Sequence, residues 1–110
     1  MNTEQKTKTI QKALDILTPI PRKDWIISKY TNGVNKCCAV GHFNRLVNNE
    51  SDYSYSNCFH SELEMDLRRA TSNVDGDDIS HVNNFEVGKY KQKTPKGRVI
   101  RFLKDLLKSG

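Results

Sequence analysis

The C-terminal segment of the chain constrains the fold most, because its apolar residues fall on one side of an α-helix. Thr94 is a favoured N-cap residue and Pro95 is typical of the first helical turn. The apolar positions that follow share one face: Val99, Ile100, Leu103, Leu106 and Leu107. Residues 94–110 therefore predict a helix with one buried side.

The same spacing of apolar residues predicts three further helices, over residues 3–17, 38–47 and 61–70. Pro19 and Pro21 end the first one, since proline lacks an amide donor and disfavours helical geometry in the residue before it. Residues 48–57 are polar and predict a mobile loop. Residues 79–84 predict either a turn or a short helical fragment.

Two short strands are predicted between the first two helices, at residues 25–30 and 34–38. Asn32 and Gly33 separate them, and this pair tolerates the positive φ angles of a tight hairpin turn. The predicted fold class is therefore mainly α (α+β), with four helices and a short two-stranded β-hairpin.

The length of 110 residues predicts a single domain, 1–110. No apolar run suits a signal peptide or a membrane span, so we expect a cytoplasmic protein that does not enter a membrane. The three cysteines are Cys37, Cys38 and Cys58. Because their number is odd and two are adjacent, we expect reduced thiols rather than a disulfide framework. No cofactor is expected.

The net charge of +5 is distributed unevenly along the chain. Residues 50–86 carry nine acidic and two basic side chains, a net −7, whereas residues 87–110 carry eight basic and one acidic, a net +7. Two interpretations remain open. The segments neutralise each other within the fold, which is the commoner arrangement for charge runs, or the basic end faces an anionic partner.

The basic end is a candidate interface for nucleic acid. Lys and Arg displace counterions from phosphates, and an exposed Tyr90 would stack on a base. Against this, a helix that buries its apolar face must point its charges outward in any case. Gly97 would let an anion approach the first amides of the helix. The basic side chains are Lys89, Lys91, Lys93, Lys96, Arg98, Arg101, Lys104 and Lys108, of which Lys93, Lys96, Arg98 and Arg101 are the predicted ligand-binding residues.

A second candidate is a cysteine nucleophile at Cys38, where the start of a predicted helix would stabilise a thiolate. The base would be His81, together with Asn83 or Asn84, in an arrangement similar to Cys-His-Asn. Cysteines are among the most buried residue types, so packing in the core is the favoured interpretation and no catalytic residue is assigned.

Metal binding is the weaker alternative for the same residues. Cys38 with His42, and Cys58 with His60, would supply zinc ligands, but the paired Cys-x-x-Cys knuckles of zinc sites are missing. We therefore predict no metal.

A calcium loop is rejected as well. The acidic run from Asp75 to Asp78 places Glu86 at the twelfth position of such a loop. However, Ile79 occupies a ligand position and Ser80 the glycine position.

The succession of motifs resembles an uncharacterised family of small phage and bacterial proteins. That family has a tryptophan, a Cys-Ala-Ile-Gly-like helix start and an Asn-Asp pair before its last helix. The chain departs from it at His42, where the family has a small residue, and at Asn84, which replaces the acidic member of the pair. The matching stretches are Ala13-Leu14-Asp15-Ile16-Leu17, Trp25, Cys37-Cys38-Ala39-Val40-Gly41, Val82-Asn83-Asn84 and Thr94-Pro95.

The resemblance implies a phage-type accessory protein. We expect a non-enzymatic binding module whose ligand is a host protein or an anionic nucleotide or nucleic acid, with inhibition of a host defence as one version. Trp25, Asn83 and Asn84 join the basic residues as predicted ligand-binding positions. The alternative is a cysteine-dependent hydrolase or transferase that uses Cys38 and His81.

Overall fold

Six α-helices make up most of the computed structural model, which describes residues 2–72 and 76–109. A 3₁₀ turn, Arg22–Asp24, follows the first helix. The four helices that the sequence predicts are confirmed as α1, α2, α4 and α6. The helix bounds are Thr3–Leu17 (α1), Ala39–Val47 (α2), Tyr55–Cys58 (α3), Ser61–Thr71 (α4), Ile79–Asn83 (α5) and Pro95–Ser109 (α6).

Helices α4 and α6 both pack along α1, and α2 is buried along most of its length. The apolar stripe of α1, which includes Ala13 and Leu17, is sealed from solvent against Leu67 of α4 and Leu103 of α6 in one continuous core. Full burial of a leucine side chain contributes about 2 kcal/mol, so the helices are held together mainly by this shared face. None of the described helices is long and apolar enough to cross a lipid bilayer.

The predicted β-hairpin is wrong, and so is the α+β class, because the described part of the chain contains no strand. Residues 25–38 form an irregular loop with two isolated bridges, both to Cys37. The backbone leaves extended geometry at Ser28, whose φ is 64°, which interrupts the first predicted strand. Gly33 does adopt a positive φ, 77°. The turn is closed by Asn32 Oδ1, which accepts hydrogen bonds from the amides of Val34, Asn35 and Lys36 in place of a strand ladder.

The loop lies directly against the start of α2. The Cys38 amide donates to the Tyr30 carbonyl at 3.2 Å. Gly41 sits below that carbonyl, and a Cβ atom there would overlap the Tyr30 oxygen. Glycine at this position therefore allows the loop and the helix to approach each other.

Two short helices complete the fold. Helix α3 lies within the segment predicted as a mobile loop, and its Tyr55 ring stacks on Phe59 at 5.6 Å. Of the two alternatives for residues 79–84, the helical one is confirmed by α5, which Asp78 and His81 cap reciprocally. Residues 73–75, which belong to the predicted break after α4 and to the rejected calcium loop, lie outside the described residues.

Candidate functional site

A positively charged groove runs between α6 and the segment that leaves α1. Its volume is about 440 Å³. Four of its lining residues are cationic, and no carboxylate is among the lining side chains that the structure describes. We call it the basic groove, and its lining is Thr18, Arg22, Lys96, Gly97, Ile100, Arg101 and Lys104.

Two of the predicted ligand-binding residues, Lys96 and Arg101, line this groove. The Arg101 side chain is 60% exposed, and its Nε lies 3.2 Å from Asp105 Oδ1. Arg101 is open to water although Asp105 is only 24% exposed, so an incoming phosphate can reach the guanidinium. Lys93 is exposed just before α6 but does not line the groove. The Gly97 amide donates to Thr94 Oγ1 at 3.0 Å, so the capping hydroxyl already occupies the position suggested for an anion.

Arg98 lies apart from the other cations, since its side chain is buried. The guanidinium donates to the carbonyl oxygens of Val82 at 3.1 Å, Asn83 at 2.8 Å and Gln92 at 3.0 Å. Burial lowers the pKa of Arg98 from its usual value. These bonds fasten α6 to the end of α5, and they orient the group away from any surface ligand.

Tyr90 offers no exposed ring for stacking on a base. Its ring is buried and meets Phe102 edge-on at 5.4 Å. The hydroxyl donates to Asp105 Oδ2 at 3.2 Å. Burial, followed by the nearby Asp105 charge, raises the pKa of Tyr90. An anion at this end of the molecule would therefore be met by cations rather than by an aromatic platform.

The acidic and basic segments meet in the fold, because α6 packs against α5, which belongs to the acidic segment. Helix α4, in the acidic segment, packs against α1, α2 and α5, whereas α6 lies along α1 and α5. Ion pairs of the acidic segment close within it, from Arg68 to Glu64 and Asp78 and from Arg69 to Asp66. These ion pairs do not involve the four cations of the basic groove, of which Arg101 pairs with Asp105 inside the basic segment.

A smaller pocket of about 180 Å³ brings together Cys38, Asn83 and Asn84. Both asparagine side chains form hydrogen bonds to the backbone that lines the pocket. Asn83 Oδ1 accepts from the Ala39 amide and its Nδ2 donates to the Ile26 carbonyl, each at 3.0 Å. Asn84 Oδ1 accepts from the Ser28 amide at 2.8 Å. The remaining lining residues are Ser28, Lys29, Tyr30, Arg68 and Ser80.

Cys38 is the N-cap of α2, and its sulfur accepts a hydrogen bond from the Gly41 amide at 3.4 Å. Burial outweighs this bond and raises the pKa of the Cys38 thiol to about 11, so the thiol is protonated near neutral pH. His81 Nδ1 accepts from the Asp78 amide at 3.1 Å, which commits the predicted base to capping its own helix. Nucleophilic catalysis needs a lowered thiol pKa and a base aimed at the sulfur, and this geometry provides neither.

Trp25, another predicted ligand-binding residue, belongs to the core. Its ring is 5% exposed and lies 5.6 Å from the His42 ring, and its Nε1 has no hydrogen-bond partner among the described residues. His42 Nε2 lies 2.8 Å from the Asp24 carbonyl, and Nδ1 lies 2.9 Å from Arg45 Nη2. Burial lowers the pKa of His42 to about 4, so the ring is neutral and donates to Asp24 while accepting from Arg45.

The candidate metal ligands are dispersed. His60 Nδ1 accepts from the Leu63 amide at 3.4 Å as the cap of α4, and His42 is held as described above. Within residues 2–72 and 76–109, no three His, Cys, Asp or Glu side chains are grouped so that they could hold a metal ion.

The sequence did not indicate Arg22 as a binding residue. Arg22 lies in the 3₁₀ turn after α1 and lines the wall of the basic groove opposite α6. It is distant in sequence from the basic segment, and its only signal was a pair of basic residues after Pro21. No family model, no curated protein and no solved structure matches the chain. Proposals about function therefore depend on the geometry of its own residues.

Proposed function

We propose that the chain is a non-enzymatic binding protein that holds the phosphodiester backbone of a nucleic acid in the basic groove. The observation that carries this proposal is the groove itself, whose described lining combines four cations with no carboxylate. Such a surface attracts a polyanion because each neutralised phosphate releases counterions. Of the two expected ligand classes, a host protein and an anion, the anion is the one that the charge of this groove favours.

A polymer fits the groove better than a single nucleotide. The groove lies open on the surface, and the exposed Lys93 and Lys108 lie before its first and after its last α6 lining residue along the chain. A phosphate chain would contact these in succession. With Tyr90 buried, contact falls on phosphates rather than bases, so we expect little sequence preference. For a phage-type accessory protein, which the resemblance implies, the ligand would be phage or host nucleic acid.

The test is fluorescence anisotropy with labelled single- and double-stranded DNA and RNA of random sequence, over a range of KCl concentrations. The triple variant Arg22→Gln, Lys96→Gln, Lys104→Gln removes three of the four groove cations. We expect binding at low salt to weaken by at least about tenfold. The slope of log K against log salt should flatten by roughly two to three, near one unit for each lost phosphate contact.

The matched control is Lys6→Gln, Lys8→Gln, Lys12→Gln on the exposed side of α1, which lowers the net charge equally. This control should bind within about twofold of the unmodified protein, apart from a small screening effect. Equal losses in both triple variants would mean that net charge alone drives association, and the proposal would fail. It would also fail if none of the four nucleic acids bound at the lowest salt.

A further inference from the structure

Two of the three cysteine side chains face each other in the interior. The sulfur atoms of Cys37 and Cys58 lie 3.3 Å apart, and both side chains are fully buried. Cys37 ends the loop before α2, and Cys58 is the last residue of α3. The contact therefore connects two segments that are separated along the chain by the whole of α2.

The third thiol points elsewhere. The backbone at Cys38 is extended, with φ −77° and ψ 178°, and successive side chains of an extended chain point to opposite sides. Cys37 accordingly faces the interior, whereas Cys38 lines the pocket beside Asn83 and Asn84. The fold thus selects one cysteine pair out of the three that the sequence allows.

We propose that Cys37 and Cys58 form an oxidation site, which a small hydroperoxide converts to a disulfide while Cys38 stays a thiol. The sulfur atoms must approach from 3.3 Å to about 2.05 Å, a movement that side-chain rotation and small backbone shifts can supply. Neither cysteine lies inside a long helix: Cys37 is in an irregular loop, where its amide and carbonyl bond Asp24 and Ile26, and Cys58 ends a helix of four residues.

The chemistry balances with hydrogen peroxide as the two-electron oxidant. One cysteine thiolate attacks a peroxide oxygen, the O–O bond breaks, and the departing hydroxide takes up the thiol proton to give water and a sulfenic acid. The second thiol then attacks the sulfenic sulfur, the S–O bond breaks, and a second water leaves. Two thiols are oxidised and one peroxide is reduced to two waters.

Burial makes the reaction slow and selective. Desolvation, reinforced by the neighbouring Cys37, raises the pKa of Cys58 to about 12. Attack therefore proceeds through brief opening of the loop, and a small peroxide has better access than a bulky disulfide. The reduced thiols expected from the sequence are the form of the protein before it meets such an oxidant.

The experiment treats the folded full chain with hydrogen peroxide, blocks the remaining thiols, and maps disulfides by peptide mass spectrometry. We expect the Cys37–Cys58 disulfide to exceed the Cys38–Cys58 disulfide by at least about tenfold, because only the first pair has its sulfur atoms in contact. The same protein unfolded in urea should give a ratio near one, since Cys37 and Cys38 are adjacent in sequence.

A variant extends the test. Cys38→Ser should form the intramolecular disulfide as the unmodified protein does, whereas Cys37→Ser should form none while folded. If Cys37→Ser fails to fold, the ratio in the unmodified protein still decides the question. A ratio near one in the folded state, or three free thiols after peroxide has fully oxidised an added dithiol, would overturn the proposal.

Discussion

Replacement of Arg98 by methionine tests whether this buried cation is structural. The substitution keeps the aliphatic stem but removes the donors to the Val82, Asn83 and Gln92 carbonyls. The bonds to Val82 and Asn83 are buried, but the Val82 carbonyl still accepts from the Phe85 amide, and the half-buried Gln92 carbonyl can turn to water. The Asn83 carbonyl is therefore the buried acceptor left unpaired, at a cost of about 1–3 kcal/mol. We expect Arg98→Met to lower the free energy of unfolding by about 2–3 kcal/mol.

The assay is urea unfolding followed by circular dichroism, with thermal unfolding as a second measurement. For a domain of this size 1 kcal/mol corresponds to about 4 °C, so the melting temperature should fall by roughly 10 °C. Arg101→Met is the matched control, because it removes the same charge from an exposed position of α6 and should cost less than about 0.5 kcal/mol. Similar losses in both variants would refute the structural role of Arg98.

Two other predictions concern the contact of the loop with α2 and the neutral His42. Gly41→Ala should lower the melting temperature by several degrees because its methyl overlaps the Tyr30 carbonyl, whereas Gly88→Ala, which meets open space, should change it little; equal effects would contradict the close approach. The pKa of His42 is about 4 in the folded protein and 6.5 for a free side chain. The unfolded chain therefore binds the proton at a higher pH than the folded protein does. As a result, the free energy of unfolding falls as the pH drops from about 6.5 to 4. The variant His42→Gln, which mimics the neutral ring, should lose roughly 2 kcal/mol less stability than the unmodified protein between pH 7.5 and 4.5, as measured by urea unfolding at both pH values. Equal losses in the variant and the unmodified protein would contradict the lowered pKa of His42.

Helices α1, α2, α4 and α6 were predictable because each one shows its buried face as a regular spacing of apolar residues, whereas the four residues of α3 are too few to show one. The hairpin was wrongly predicted, since two short segments on either side of an Asn-Gly pair fit a strand pair and an irregular loop equally well. The outcome depended on Asn32, whose side chain supplies local bonds in place of a ladder, and on Ser28, whose positive φ has no sequence signature. Competition of this kind between side chain and backbone is decided by tertiary contacts.

The sequence predicted the positive charge of the candidate site but not which cationic residues line it. Eight cations near the C-terminus indicate an anionic ligand, yet the pattern cannot separate Arg98, which is buried, from Lys96, which lines the groove. From sequence alone, an arginine such as Arg98, one turn from the start of an amphipathic helix, is predicted to be exposed, because the segments that pack against it are not known. Arg22 reaches the groove only because the chain reverses after α1.

Asn83 joins three elements that would otherwise move separately. Its side chain bonds the Ile26 carbonyl of the loop and the Ala39 amide of α2, and its own carbonyl accepts from Arg98 of α6. We expect a fluctuation that frees the first turns of α6 to loosen Asn83 and, through it, the loop. The loop and α6 would then open together, and a ligand bound to α6 would slow the exposure of the buried Cys37–Cys58 pair.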